Sequence, residues 1–318
     1  MKIVFLGSGY FGVPSLDAMM RSRHEVVYIA TQPPNPAGRG RRPCATPVAD
    51  WADRHLVPYL ETPNINTAAC LEKIARHRPD LLVVIAFGQK IGSELIQLAP
   101  HQALNVHASL LPKWRGAAPI NWSIIAGDET TGVTLITLAD QIDAGEMLGT
   151  VETCIRPGET AGELHDRLAE LAAPLLLETL DKFEAGTVEK VAQDSIRATM
   201  ARKLKKADGY LDFHGTAEEL DRRIRGFWPW PGAAATYLSR ETGKRLRVVF
   251  AESTVEPWYN TKDLPTGTLN ENLNIVCRRD VLRILRLKPA GKPLMEFSDF
   301  VNGRHTRPGD IFLPIETH

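Results

Sequence analysis

The first half of the chain alternates short apolar runs with helix-length segments. Residues 2–7 have the composition of a buried strand, residues 11–21 of a helix, and residues 25–30 of a second strand. This order predicts a βαβ unit at the start of the chain. Similar patterns predict further strands at residues 81–85, 103–106 and 131–138, and helices at residues 67–77 and 120–126. Together they indicate an α/β fold with a Rossmann-like, mostly parallel sheet and helices on both faces.

A long helix follows this alternation from about residue 160. Its leucines recur near the helical period, at Leu164, Leu168, Leu171, Leu175 and Leu180. The pattern ends at Ala185-Gly186, and the polar, basic stretch that follows has no clear periodicity. We therefore predict a first domain over residues 1–190 and a linker over residues 191–207.

The pattern changes again from residue 208. Short β-like runs occur at residues 235–238, 246–250, 266–269, 273–277 and 281–287, after one helical segment at residues 216–224. Many short strands separated by turn residues are typical of a small barrel. Residues 208–318 are thus expected to form a second domain, although periodicity alone does not separate one kind of barrel from another.

Composition narrows the class of protein. The four cysteines lie far apart without CxxC spacing, so we expect reduced thiols in a cytoplasmic protein and no metal site. No apolar run reaches the length of a membrane span. The formal net charge is zero, but residues 1–195 carry 17 basic and 23 acidic side chains, whereas residues 196–318 carry 21 and 15. A basic second domain could bind a polyanion, although a surplus of this size is also common in proteins that bind no polyanion.

One motif points towards a dinucleotide. Gly7-Ser8-Gly9-Tyr10-Phe11-Gly12 satisfies GxGxxG between a predicted strand and a predicted helix. No Asp or Glu follows the second strand to hold a ribose hydroxyl, because that strand ends in Ala30-Thr31-Gln32. Glycines needed only for a tight turn explain the motif at least as well.

A second motif suits chemistry on a carbonyl group. Asn105 and His107 lie two residues apart at the end of a predicted strand, so their side chains share a face, and Asp143 follows the next predicted strand. An amide and a charged imidazole can donate hydrogen bonds to a developing oxyanion. A carboxylate can orient the imidazole and stabilise its charged form. Each residue also has an ordinary alternative: a structural histidine, a turn aspartate, or Asp140 in place of Asp143.

The residues around these positions extend the pattern. Residues 105–116, which read Asn-Val-His-Ala-Ser-Leu-Leu-Pro-Lys-Trp-Arg-Gly, resemble the 10-formyltetrahydrofolate-dependent formyltransferases, especially the branch that acts on methionyl-tRNA. Further matches occur in family order on both sides of this motif, at residues 31–33, 36–40, 203–204, 208–209, 224–226, 229–233 and 300–303. The resemblance implies an OB-like second domain that binds tRNA. It also implies transfer of formyl from 10-formyltetrahydrofolate to the α-amine of initiator methionyl-tRNA, with Asn105, His107 and Asp143 as catalytic residues.

The resemblance also implies where the two substrates bind. The folate is expected against two segments, at Phe87, Gly88, Gln89 and Ile91 and at Ser109, Leu110, Leu111 and Pro112. A Gly/Pro-rich loop is expected to contact the acceptor end of the tRNA through Arg39, Arg41 and Arg42. Phosphate contacts are assigned by charge to Lys203, Lys205, Lys206, Arg245 and Arg247. We expect a monomer.

Three alternatives remain at this point. A formyltransferase for glycinamide ribotide or an amino sugar nucleotide would use the same three catalytic residues, and Asn121-Trp122 resembles that branch. A noncatalytic tRNA-binding protein would not need the three residues. A nicotinamide-dependent dehydrogenase would need the acidic residue that is missing after the second strand.

Overall fold

The structure is a computed structural model that describes residues 1–37, 42–258 and 264–316. The chain divides into two compact units. The first comprises residues 1–116, 130–153 and 165–200, and the second comprises residues 117–129, 154–164 and 201–318. Each unit therefore draws on more than one stretch of the chain.

Seven of the strands described in the first part of the chain form the main sheet, and six helices accompany them. Up to residue 201 the strands are β1 (Lys2–Gly7), β2 (Glu25–Thr31), β3 (Asn35–Ala37), β4 (Arg42–Cys44), β5 (Tyr59–Glu61), β6 (Leu81–Ile85), β7 (Ala103–His107), β8 (Arg115–Gly116), β9 (Thr130–Thr137), β10 (Met147–Cys154) and β11 (Met200–Ala201). The helices are α1 (Val13–Met20), α2 (Pro47–His55), α3 (Ala68–Ala75), α4 (Ser93–Ile96), α5 (Pro119–Ala126) and α6 (Ala161–Ala185).

The main sheet confirms the predicted Rossmann-like fold. Its strand order is β10-β9-β7-β6-β1-β2-β5. The pairs β1–β2, β1–β6, β2–β5 and β6–β7 are parallel, and β9 runs antiparallel to β7. All five residues of β6 are buried, as are Ile3–Gly7 of β1, so both faces of the central sheet are covered. The carboxyl ends of β6 and β7 lie side by side because the two strands are parallel neighbours.

The second unit contains an antiparallel, barrel-like sheet. Its strands are β12 (Ala233–Leu238), β13 (Arg245–Glu256), β14 (Ile275–Val276), β15 (Val281–Pro289), β16 (Met295–Glu296) and β17 (Ile311–Leu313), and its later helices are α7 (Ala217–Phe227) and α8 (Phe297–Arg304). The sheet order is β14-β15-β13-β12-β17, with β16 beside β15. Phe213, Phe250, Phe300 and Phe312 form the centre of its core. The expected barrel is therefore present.

Two predicted elements differ from the structure. The strand expected at residues 266–269 is reduced to isolated bridges at Thr268 and Leu269. Gly267 has φ +85°, so the backbone turns there instead of extending, and a Cβ at this position would overlap the carbonyl oxygen of Phe312. Pro36 and Pro43, placed in a predicted loop, lie in a short antiparallel pair formed by β3 and β4.

The expected linker contains short structured segments. A 3-10 helix spans Ser195–Arg197, and β11 pairs with β8. Another 3-10 helix spans Lys206–Gly209. Across the described parts of the chain, no helix has the length and apolar character needed to cross a membrane.

Candidate active site

Asn105 and His107 lie on one face at the carboxyl end of β7, and both contact Asp143. The Asn105 Nδ2 donates to Asp143 Oδ1 at 3.2 Å, and His107 Nδ1 lies 3.5 Å from Asp143 Oδ2. The His107 side chain is 6% exposed and that of Asp143 14%. The amide, imidazole and carboxylate that the sequence singles out therefore form one contiguous group.

The backbone around Asp143 directs its carboxylate into this group. Asp143 lies between β9 and β10 and has φ +51°, in the left-handed region that few non-glycine residues adopt. The backbone N–H of Gly116 donates to Asp143 Oδ2 at 2.9 Å, which adds a third partner to the carboxylate. Asp140 is exposed, so the structure places Asp143, not Asp140, beside His107.

The second nitrogen of His107 faces a backbone oxygen. Nε2 lies 2.9 Å from the carbonyl oxygen of Trp114, which can only accept a hydrogen bond, so Nε2 carries a proton in this arrangement. A proton on Nδ1 would in turn point to the Asp143 carboxylate. The ring therefore has an acceptor for a proton on each nitrogen.

The loop after β7 is held by two threonines. Thr134 on β9 donates from its hydroxyl to Ser109 O at 2.7 Å and accepts from Leu111 N at 3.1 Å. Thr199 accepts from Trp114 N at 2.9 Å. Ser109 is fully buried and its hydroxyl donates to Lys113 O at 2.6 Å, an arrangement that stabilises the loop and does not suit a nucleophile.

The segment expected to contact the folate follows β6, beside the end of β7. Phe87 is buried, Gly88 is exposed with φ +76°, and Ile91 packs partly against the core. The Gln89 amide bridges to a neighbouring loop, donating to Thr62 O and accepting from Ile65 N, both at 2.7 Å. Gln89 thus shapes this segment through its side chain. Leu111 is buried, and Leu110 and Pro112 are partly exposed in the neighbouring loop.

The glycine motif is explained by packing. A Cβ on Gly7 would overlap the Phe5 ring and the carbonyl oxygen of Ile85, and a Cβ on Gly12 would also meet the Phe5 ring. Ser8 Oγ accepts from Gln32 N at 3.0 Å and joins the ends of β1 and β2. These contacts support the interpretation of the motif as a tight turn.

The basic residues expected to contact tRNA differ in their surroundings. Arg39 and Arg41 lie outside the described residues, and of Arg42 only the backbone in β4 is described. Lys203, Lys205 and Lys206 are exposed. Arg245 lies 3.8 Å from Glu316, whereas the guanidinium of Arg247 lies over the Tyr210 ring at 5.4 Å from its centroid.

An unpredicted ion pair lies among these lysines. Both terminal nitrogens of Arg202 donate to Asp208, at 2.8 and 2.6 Å. The Arg202 hydrogen bond lowers the pKa of the Asp208 carboxyl. Arg202 is thus already neutralised, which leaves the neighbouring lysines as the cations available to an anionic partner.

Two residues beside the group formed by Asn105, His107 and Asp143 were not predicted from the sequence. Arg115 is buried, and its guanidinium donates twice to Gln193 Oε1, at 3.0 and 2.8 Å. Gln193 Nε2 donates to the backbone oxygens of Asp143 and Gly145. Arg115 lies within residues 105–116, so the resemblance of that segment could have drawn attention to it. Gln193 lies in a stretch without a sequence pattern that would indicate a functional role.

A separate cluster contains His24, Asp181 and Glu184, whose potential ligand atoms lie within 4.8 Å of one another. Arg23 pairs with both carboxylates, at 2.7 Å from Asp181 and 2.9 Å from Glu184. The guanidinium thus already supplies positive charge to the two acids. The arrangement is that of a surface ion-pair network.

Family models identify the class to which this fold and site belong. The model described as formyl transferase matches residues 1–180, and the model of the formyl transferase C-terminal domain matches residues 203–305. The first match alone covers more than half of the chain. The chain belongs to the formyl transferase family.

Similar sequences place it more narrowly, in the methionyl-tRNA formyltransferase group. A methionyl-tRNA formyltransferase from Methylococcus capsulatus is 39% identical over 305 residues, which cover 95% of this chain and 96% of that protein. One from Bacillus subtilis is 36% identical over 311 residues, covering 98% and 97% of the two chains.

Solved structures share the fold at low identity. HypX from Aquifex aeolicus in complex with tetrahydrofolic acid has a TM-score of 0.64 at 18% identity, over 95% of this chain and 47% of HypX. WlaRD, a sugar 3N-formyl transferase solved with dTDP and 5-N-formyl-THF, has a TM-score of 0.64 at 16% identity, over 92% and 99% of the two chains. These likenesses concern the fold.

Proposed function

We propose that this protein transfers the formyl group of 10-formyltetrahydrofolate to the α-amine of initiator methionyl-tRNA. The contiguous group formed by Asn105, His107 and Asp143 carries the proposal, together with full-length relatives of that name. Residues 1–190 would form the catalytic domain, residues 191–207 the linker and residues 208–318 the tRNA-binding domain.

The proposed reaction needs groups that handle one oxyanion and one proton. The amine attacks the formyl carbon, a tetrahedral intermediate forms, and the bond from that carbon to the folate nitrogen breaks as the amine proton moves to that nitrogen. Asn105 retains a second amide hydrogen for the oxyanion, since only one bonds Asp143. Because Nε2 is bonded to the Trp114 carbonyl oxygen, His107 would act through Nδ1, which would donate to the oxyanion when the ring is charged or accept the amine proton when it is neutral. The neighbouring Asp143 carboxylate would stabilise the charged ring.

The folate would lie where β6 and β7 end. Parallel strands present their carboxyl ends at one edge of a sheet, which is where ligands of open α/β sheets bind. Phe87, Gly88, Gln89 and Ile91 follow β6, and residues 109–112 follow β7. Gly88, with its positive φ and no side chain, allows a flat ring to approach the backbone.

The tRNA contacts would be electrostatic. Exposed Lys203, Lys205 and Lys206 suit phosphates, as do Arg245 and Arg247 once released from their present partners. Arg39, Arg41 and Arg42 are proposed for the acceptor end from the resemblance of their loop. We further propose that the protein acts as a cytoplasmic monomer.

Asn121 and Trp122, which resemble the small-molecule branch, both have structural roles in the second unit. Asn121 Nδ2 donates to Gly226 O at 2.7 Å, which attaches α5 to α7. Trp122 Nε1 donates to Arg202 O at 2.8 Å, and the Arg202 guanidinium lies over the Trp122 ring. The dipeptide that resembled the other branch is thus accounted for by packing within the second unit.

The decisive assay supplies 10-formyltetrahydrofolate with initiator methionyl-tRNA and, separately, with elongator methionyl-tRNA, glycinamide ribotide and an amino sugar nucleotide. We expect N-formylmethionyl-tRNA from the initiator alone. Formylation of a small amine in preference to tRNA would move the protein to the other branch. Tight tRNA binding without any formyl transfer would indicate a binding protein instead.

A further inference from the structure

The side-chain amide of Gln193 makes four hydrogen bonds beside the catalytic group. Its two N–H groups are directed to the backbone oxygens of Asp143 at 2.9 Å and Gly145 at 2.7 Å. Its oxygen accepts both donors of the Arg115 fork, at 3.0 and 2.8 Å. Every donor of this amide, and both lone pairs of its oxygen, are used.

The backbone of residues 143–145, to which the Gln193 amide bonds, has a conformation that needs stabilising contacts. Asp143 has φ +51°, a conformation that an aspartate tolerates but does not favour. The turn is also tight, since a Cβ on Gly145 would overlap the Thr137 carbonyl oxygen. The Gln193 amide bonds to the carbonyl groups of the two residues that flank Ala144. These two bonds hold the turn and so fix the direction of the Asp143 side chain.

Arg115 completes a closed ring of contacts. The next residue, Gly116, donates its N–H to Asp143 Oδ2 at 2.9 Å. Arg115 is itself fixed, because it is buried and its N–H donates to Thr199 O at 2.8 Å. Asp143 is therefore held through its carboxylate by Gly116 and through its backbone by Gln193, and Arg115 connects the two.

We propose that Gln193 is a positioning residue, which acts through Asp143 to keep the carboxylate beside His107 during formyl transfer. The effect on kcat that this inference predicts rests on the proposed function. Gln193 lies outside the matched loop, in the segment predicted to be a linker. Its hydrogen bonds go to Arg115 and to backbone oxygens, so it would act on the Asp143 carboxylate through the backbone.

The chemistry of the contacts requires an amide at this position. Glutamate would still accept from Arg115, but its carboxylate would face the two carbonyl oxygens without a proton to give. Methionine would fill a similar volume and lose all four hydrogen bonds. Gln193→Glu and Gln193→Met should therefore both release the Asp143 backbone, although only the first keeps Arg115 paired.

Formyl transfer to initiator methionyl-tRNA is measured for both variants and for Gln97→Met, the same substitution at an exposed glutamine. We expect kcat to fall roughly 10- to 100-fold for the Gln193 variants, as small displacements of catalytic groups typically cause, while the affinity for 10-formyltetrahydrofolate stays within about twofold. Gln97→Met should be unaffected. If Gln193→Met does not fold, Gln193→Glu carries the test.

A double-mutant comparison separates positioning from a general structural role. In an Asp143→Asn background, Gln193→Met should reduce kcat by less than about threefold further, because the side chain it positions no longer works as a carboxylate. Fully multiplicative losses, or a single variant with normal kcat, would overturn the inference and leave the proposed function intact.

Hydrogen exchange tests the same inference without activity. Amides of residues 141–147 should exchange several-fold faster in Gln193→Met than in the wild type or Gln97→Met. If the wild type transfers formyl to no acceptor, the proposed function fails and exchange alone decides the positioning role. Unchanged exchange in that segment would refute it.

Discussion

At the scale of single residues, the site depends on how two polar side chains and one backbone N–H share the carboxylate of Asp143. Asp143 contacts Asn105, His107 and the Gly116 N–H, and no one of these partners is adjacent to it in sequence. Asn105 and His107 could be paired from sequence, because residues two apart on a strand share a face. Asp143 could be proposed from its place after the next strand, but only the resemblance favoured it over an ordinary turn aspartate.

Removing the imidazole tests the residue scale directly. His107→Ala should lower kcat by roughly 100-fold or more, as loss of an acid–base group typically does. Single-turnover formylation measures the change, with folate affinity followed separately. His101→Ala, at an exposed histidine of the same unit, serves as the control. Turnover within a few-fold of the wild type would remove His107 from the proposed mechanism.

At the scale of elements, the candidate site lies at the ends of strands, and networks of side-chain hydrogen bonds stabilise the pairing of strands. In the second unit β12 pairs with β17, and buried Tyr237 contacts the Asp310 carboxylate and the Thr306 hydroxyl beside that pair. Asp310 Oδ1 also accepts from Arg240 N at 2.8 Å. Burial, then the Asp310 hydrogen bond, raises the pKa of Tyr237 to about 12.

This network predicts alkaline sensitivity of the second unit. The raised pKa favours the neutral phenol in the folded state, so its stabilisation is complete below the usual value of 10.0 and is lost as the pH rises towards 12. Tyr237→Phe should lower the free energy of unfolding by about 1–3 kcal/mol at pH 7, through the lost hydrogen bond.

Denaturant unfolding of both proteins from pH 7 to 11 measures these effects. The stability of Tyr237→Phe should decline less steeply above pH 10 than that of the wild type. Some decline should remain in the variant, because burial also raises the pKa of Cys277 to about 12. Parallel curves for the two proteins would contradict the assignment.

At the scale of the whole molecule, charge is divided between an acidic first part and a basic second part. The exposed lysines at residues 203, 205 and 206 contribute to the basic part, whereas Arg202 is bound to Asp208. Contacts to phosphates release counterions, so such a surface produces salt-dependent binding.

Lys205→Ala combined with Lys206→Ala should weaken tRNA binding and reduce the slope of log affinity against log salt by about 1 to 2, with folate affinity unchanged. Binding curves at several salt concentrations provide the slope. Lys288→Ala with Lys292→Ala removes equal charge from exposed positions of the same unit and should have little effect. Equal slopes for all three proteins would place the tRNA elsewhere.

Most of the architecture followed from local signals in the sequence. Apolar patterns marked α3, α6 and α7, and uninterrupted apolar runs marked β1 and β6 at their observed bounds. Elements that depend on partners were missed: β10 has alternating exposure at the sheet edge, and α8 has only one fully buried residue, Phe300. The local sequence patterns of β10 and α8 are weak, and these segments form a strand and a helix because of the neighbouring elements they pack against.

The sequence by itself determined the two-part architecture, the strand that carries Asn105 and His107, and the family resemblance that singled out Asp143. These are local properties, since periodicity and motifs depend on near neighbours. Only the tertiary structure decided that Gly7 and Gly12 serve packing, that Asn121 and Trp122 attach a helix, and that Gln193 closes a ring around Asp143. Those outcomes depend on atoms that are far apart in the chain and meet only when it folds.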